Sequence, residues 1–126
     1  MTEHEIQNEI RLAIGKELPN VRLFRANVGM GWTGRIAGRS ERWGRRPSQL
    51  VLENYRVFST GLPNGTPDLI GFKTLPDGVA QFAFIEVKQP GGRVRPEQER
   101  MIKFLLDHGA VGGIAHSPEE ALELLR

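Results

Sequence analysis

The sequence predicts a single α/β domain, residues 1–126, in which a mixed β-sheet is flanked by helices. Three observations carry that expectation. Apolar residues recur at helical spacing near both ends and again at 96–108. Short apolar runs of strand length lie between those segments. The resulting order is helix, strand, excursion, strands, helix, strand, helix, which suits helices packed on a sheet. A length of 126 residues fits one core, and 39% apolar with 25% charged residues predicts a folded chain.

The first helix is expected from about Glu3 to Glu17, because Ile6, Ile10, Ala13, Ile14 and Leu18 share a face. Thr2 suits its N-cap and Pro19 ends it. Val21 to Val28 reads as a strand with Val21, Leu23 and Arg25 on one face. Residues 29 to about 49 mix five glycines with arginines, Trp32 and Trp43, and no period survives. That stretch is therefore expected to be a loop or irregular excursion. Leu50 to Ser59 reads as a strand, and Gly61 to Pro67 as turn chemistry. Asp68 to Phe72 and Val79 to Lys88 form a hairpin through Pro76-Asp77-Gly78, with 72 to 83 as the inner ladder. Pro96 opens a helix that ends near His108 and Gly109. Ala110 to Ala115 is a last strand, and Ser117-Pro118-Glu119-Glu120 caps a terminal helix.

Several function classes fall away. The chain has no cysteine, which removes disulfides, thiolate zinc sites and cysteine nucleophiles. The apolar runs are too short to span a bilayer, and the polar, acidic start lacks the pattern of a secretory signal. A cytoplasmic protein with no membrane partner is the expectation. His4, His108 and His116 have no partner at metal-ligand spacing, and no serine sits in a nucleophile motif. Gly29-Met30-Gly31-Trp32-Thr33-Gly34 matches a dinucleotide-binding pattern, but the glycine- and arginine-rich stretch after it is a poor opening for the required helix. No nucleotide cofactor is expected.

Net charge is only +2, yet it is uneven. Between Arg22 and Arg56 eight arginines face two glutamates, a balance of +6, and the remainder of the chain carries −4. Arginine matches planar, multidentate phosphate oxygens, so the segment points to a polyanion. Arg25, Asn27, Arg35, Arg39, Arg42, Arg45 and Arg46 are the candidate DNA contacts there. Arg93 and Arg95, in the glycine-bounded loop after Lys88, are expected phosphate clamps. Trp32 and Trp43 read either as surfaces for unpaired bases or as the filling of a satellite core.

The sharpest chemical signal is Gly65-Thr66-Pro67-Asp68 followed by Ile85-Glu86-Val87-Lys88. Glu86 and Lys88 are two apart on a strand and so share a face, while Val87 points into the core. A charged pair ending an otherwise apolar strand is unusual. Antiparallel pairing brings Asp68 to the same end. Two converging carboxylates repel unless a cation sits between them, and Mg²⁺ suits oxygen ligands with positions left for water and phosphate. A strand-end salt bridge between Glu86 and Lys88 is the bland alternative.

Pro-Asp, then Glu-x-Lys on the next strand, resembles the signature of the PD-(D/E)xK nuclease superfamily. Gly65-Thr66-Pro67-Asp68-Leu69-Ile70, then Phe84-Ile85-Glu86-Val87-Lys88, then Gln98 early in a helix, is similar to its VRR-NUC branch, as are Glu3, Ile6 and Gln7 at the start. The resemblance implies a restriction-endonuclease-like core, Mg²⁺ or Mn²⁺ dependence and hydrolysis of DNA phosphodiesters. It implies Asp68, Glu86 and the Val87 carbonyl as metal ligands, and Lys88 as the catalytic lysine. It also implies Gln98 as a water-orienting residue and Glu3 as a carboxylate approaching from the first helix. Helical geometry places Glu3 near the middle of the apolar face and Glu9 at its edge, which favours Glu3. Some stand-alone members of the branch resemble homodimeric four-way-junction resolvases, so a branched-DNA endonuclease acting as a homodimer is the expectation. The rivals are a monomeric nuclease trimming ends or flaps, a catalytically silent DNA-binding module, and a magnesium-binding scaffold for a protein partner.

Overall fold

The computed structural model describes residues 1–39 and 49–126. They form helix α1 (Glu3–Glu17), strands β1 (Val21–Arg25), β2 (Met30–Arg39), β3 (Leu50–Ser59), β4 (Leu69–Thr74) and β5 (Ala80–Val87), helix α2 (Pro96–Asp107), strand β6 (Val111–Ala115) and helix α3 (Pro118–Leu125). These group into two compact units, residues 1–27 with 63–126, and residues 28–62.

The first unit is built on a four-stranded sheet in the order β1-β4-β5-β6. β4 is antiparallel to both β1 and β5, and β6 runs parallel to β5. A parallel neighbour needs a long crossover, and α2 supplies it. Along β5, Ala83, Ile85 and Val87 face one side, where Ile6, Ile10 and Ile14 of α1 and Ala121 and Leu125 of α3 complete the core with Val21, Leu23, Leu69 and Ala115. The i, i+4 isoleucines of α1 form one stripe, and period two selects alternate residues of the strands. Thr2 starts α1 with a reciprocal capping box: the Glu5 amide donates to Thr2 Oγ1 at 3.1 Å and the Thr2 amide to Glu5 Oε2 at 2.7 Å. Ser117 caps α3 by accepting from the Glu120 amide at 3.2 Å. No helix among the described residues is long and apolar enough to cross a membrane.

The β4–β5 hairpin differs from the expected pairing in a way that matters for the site. Its inner pair is Thr74 with Ala80, and Phe72 lies opposite Phe82. The turn is tighter than the sequence suggested: Gly78 donates to the Leu75 carbonyl at 2.8 Å and Leu75 to the Val79 carbonyl at 2.9 Å. Continuing the register past Leu69–Ile85 brings Asp68 level with Glu86.

The second unit is an antiparallel ribbon of β2 and β3. This corrects the irregular reading of 29–49: residues 30–39 are a ten-residue strand. The signal was hidden for two reasons. Register shifts between Thr33 and Arg35 and between Ile36 and Gly38 break the alternation. Among the described residues of this unit none is buried, so no face needs to be apolar. The Gly-x-Gly-x-x-Gly stretch runs into a strand, not the helix that a dinucleotide-binding loop opens. Arg42, Trp43, Arg45 and Arg46 lie outside the described residues.

Candidate active site

Asp68 enters the site from the loop before β4. Pro67 is fully buried, and the Thr66 hydroxyl donates to the Pro63 carbonyl at 2.7 Å. Gly65 carries a φ of +90°, and a Cβ there would lie 2.4 Å from the Glu97 carbonyl oxygen. The loop thus presses backbone to backbone against the first turn of α2, which requires glycine. The Asp68 carbonyl accepts from the Ala26 amide at 2.9 Å, extending the β1–β4 ladder. Its side chain crosses to β5, where Oδ2 accepts from the Val87 amide at 2.9 Å.

Glu86 stands at the end of β5 on the face away from the isoleucine-lined core, and only 2% of it is exposed. Its Oε1 accepts from Gln98 Nε2 at 3.0 Å and lies 3.8 Å from Lys88 Nζ. Its Oε2 is buried with no hydrogen-bond partner. An unsatisfied buried carboxylate oxygen is costly and requires a cause. Burial pushes the Glu86 carboxyl up to about 8. The nearby charge of Asp68 pushes the same way, Lys88 partly opposes it, and Glu3 adds to the rise. Glu3 lies in the first turn of α1, in the unit that carries Asp68 and Glu86.

Gln98, itself buried, has two partners. Its Oε1 accepts from the Arg95 amide at 3.0 Å, satisfying a free donor at the start of α2. Its Nε2 is thereby turned toward Glu86. Arg95 lacks a capping side chain of the usual type, so only the Gln98 half of this arrangement was foreseeable. Lys88 is also buried, and its amide donates to the Ala115 carbonyl at 3.1 Å, which anchors the strand end in the parallel ladder. Val87 packs in the core as expected.

Asp68, Glu86, Val87, Lys88 and Gln98 are thus brought together, with Glu3 in electrostatic reach. Among the described residues no group of three histidine, cysteine, aspartate or glutamate side chains is gathered to hold a metal ion. The donor set fits Mg²⁺ on other grounds. It offers two carboxylates, one with a buried free oxygen, and Mg²⁺ keeps several waters and takes few protein ligands. The candidate DNA contacts are more scattered. Arg25 and Asn27 are exposed at and just beyond the end of β1, and an Arg25 guanidinium nitrogen lies 3.3 Å from His4 Nδ1. Arg93 and Arg95 are exposed between β5 and α2, with Arg95 paired to Glu97 at 3.5 Å. Arg35 and Arg39 lie on β2, and Arg35 is ion-paired with Glu53.

Comparison with known protein families matches residues 37–118 to the VRR-NUC domain, 82 of the 126 residues. The match contains Asp68, Glu86, Lys88 and Gln98. Comparison with curated proteins finds no match.

Proposed function

The chain belongs to the VRR-NUC family of nuclease domains, and from that premise we propose that it is a Mg²⁺-dependent DNA endonuclease, specific for branched DNA and working as a homodimer. The observation that carries the catalytic part is the buried, unpartnered Glu86 Oε2 beside Asp68, with Lys88 on the same strand end.

Asp68, Glu86 and the Val87 carbonyl would hold Mg²⁺ or Mn²⁺, with Glu3 approaching from α1. When bound, the ion supplies Lewis-acid polarisation of the phosphodiester and a more acidic water. The chain's own residues do the rest. Gln98 engages Oε1 of Glu86 and leaves Oε2 for ligation. Asp68 is held by the Val87 amide, so its second oxygen is aimed by a rigid strand. Lys88 shares the face of Glu86, where its ammonium holds the attacking water or offsets negative charge building on the phosphate. The arginines of the 22–56 segment and of the 93–95 loop grip the backbone, which makes affinity fall steeply with salt.

One chain carries one Asp68–Glu86 pair, and cutting two strands of a junction calls for two. A symmetric dimer is the simplest supply. The test is cleavage of labelled duplex, flap and four-way-junction DNA with Mg²⁺, Mn²⁺ or EDTA, with Glu86→Gln alongside. Symmetric metal-dependent nicking of the junction, lost in the variant, supports the proposal. Trimming of ends or flaps by a monomer replaces it with the trimming nuclease. Binding without any cutting replaces it with the silent module.

A further inference from the structure

The β2–β3 ribbon carries an arrangement that the catalytic residues do not use. Trp32 and Tyr55 meet edge to face, with ring centroids 5.4 Å apart and planes at 70°. With Leu50 and Leu52 they line an apolar cavity of about 480 Å³. Trp32 is 62% and Tyr55 63% exposed, so neither fills a core among the described residues. The backbone is shaped to make this cup. Asn54 sits at a φ of 51°, and the ladder shifts register between Thr33 and Arg35. Such a bulge interrupts the alternation along β3, and Leu50 and Leu52 line the same cavity as Tyr55. Gly34 lies opposite, where a Cβ would come within 2.9 Å of the Glu53 carbonyl oxygen.

An exposed aromatic and aliphatic cup has to be covered by something. The charge around it selects the occupant. The described residues of the ribbon, 28–39 and 49–62, hold three arginines and one glutamate, +2 with no lysine or aspartate. A protein partner would have to be acidic and apolar at once. An unpaired DNA base offers both halves: a planar apolar face for the rings and a phosphate on each side for the arginines.

We propose that Trp32, Tyr55, Leu50 and Leu52 form a receptor for a single unpaired base, so that the ribbon recognises DNA in which one base has left the stack. This rests on the reading of the chain as a DNA nuclease and adds to it the feature of DNA that is recognised. Recognition through a π-face is indifferent to base identity, so the site reads geometry and not sequence.

The test is binding in EDTA by fluorescence anisotropy, using three labelled duplexes. One is fully paired, one carries a single unpaired base, and one carries an abasic residue at that position. Wild-type protein should bind the unpaired-base duplex roughly ten-fold or more tighter than the other two. Trp32→Phe should keep most of that preference. Trp32→Ile, which retains bulk and strand propensity without a π-face, should lose it while leaving the salt dependence of binding unchanged. Equal binding of all three duplexes by wild-type protein overturns the proposal, as does a preference that survives Trp32→Ile. A change from dimer to monomer on Trp32→Ile, seen by light scattering, also overturns it and assigns the cup to a second copy of the chain. Cleavage is absent from these measurements, so failure of the nuclease reading would appear separately, as no cutting with Mg²⁺ or Mn²⁺.

Discussion

The two units of the chain solve opposite problems. The unit of residues 1–27 and 63–126 buries Ile6, Ile10, Ile14, Leu69, Ile85, Ala121 and Leu125 in one core and carries a net charge of −2. The ribbon of residues 28–62 buries none of its described residues and carries +4. A two-stranded ribbon alone is marginal in water, whereas a sheet covered by helices is stable. The contrast teaches where each task can be placed. Catalytic groups need positions held to a fraction of an ångström, which the packed unit provides. A polyanion can be gripped by side chains that settle on contact, which an exposed arginine-bearing ribbon allows.

The largest effect expected from this division is on chemistry alone. Lys88→Ala and Asp68→Asn should each reduce the cleavage rate by roughly 10³-fold or more while changing DNA affinity little. Single-turnover cleavage beside a binding titration measures both, and wild-type cutting by Lys88→Ala would sink the mechanism. The converse experiment replaces Arg42, Arg45 and Arg46 by serine. Affinity near 0.1 M salt should fall roughly a hundredfold, and the slope of log K against log salt should shrink by about 2.7, with the rate on saturated DNA intact. A lost rate with unchanged affinity would show that the division of labour is misdrawn.

Stability should separate the units next. Ile10→Ala should cost about 2–5 kcal/mol in urea unfolding. Val57→Ala on the exposed ribbon should stay within about 0.5 kcal/mol. Equal costs would mean that the ribbon is packed in solution.

The smallest effect concerns protons. The Glu86 carboxyl is raised from 4.5 to about 8, so the folded protein holds this proton more tightly than the unfolded chain does. Its contribution to stability is complete below the ordinary value of 4.5 and is lost as pH rises through about 8. Without metal, Glu86→Gln should therefore raise the melting temperature at pH 8, by on the order of 5 °C, and change it little at pH 4.5. A carboxylate must lose its proton to bind a cation, so Mg²⁺ binding at pH 7 should release close to one proton. Calorimetry in two buffers of different ionisation enthalpy measures that number, and zero would remove Glu86 as a ligand.

The core unit was largely legible because its constraints are local and periodic. The α1 stripe, the caps at Thr2 and Ser117, and the strand ending in Glu86 and Lys88 each follow from spacing and residue type. In the ribbon, β3 was legible as the strand Leu50–Ser59, but β2 was not. Bulges interrupt its alternation, glycines dilute it, and an unburied strand has no reason to show a period. Gln98 was half legible, as a residue early in a helix near an acidic strand end. Its other half depends on the backbone of Arg95, which sequence does not advertise.

The sequence by itself singled out the candidate groups for the proposed chemistry. Asp68, Glu86 and Lys88 are few, ordered and chemically odd where they stand, and the two-residue period puts Glu86 and Lys88 on one face whatever the fold. Tertiary structure decided how they meet. The tight turn at Leu75–Val79 set the register that brings Asp68 level with Glu86, and a one-residue slip would have turned the strand's side chains to the other face. Packing of Gly65 on the Glu97 carbonyl set the helix that aims Gln98. The burial that raises the Glu86 carboxyl comes from neighbours far apart in the chain. Residue type sets what a group can do, and only the folded surroundings set its dielectric, its partners and its charge.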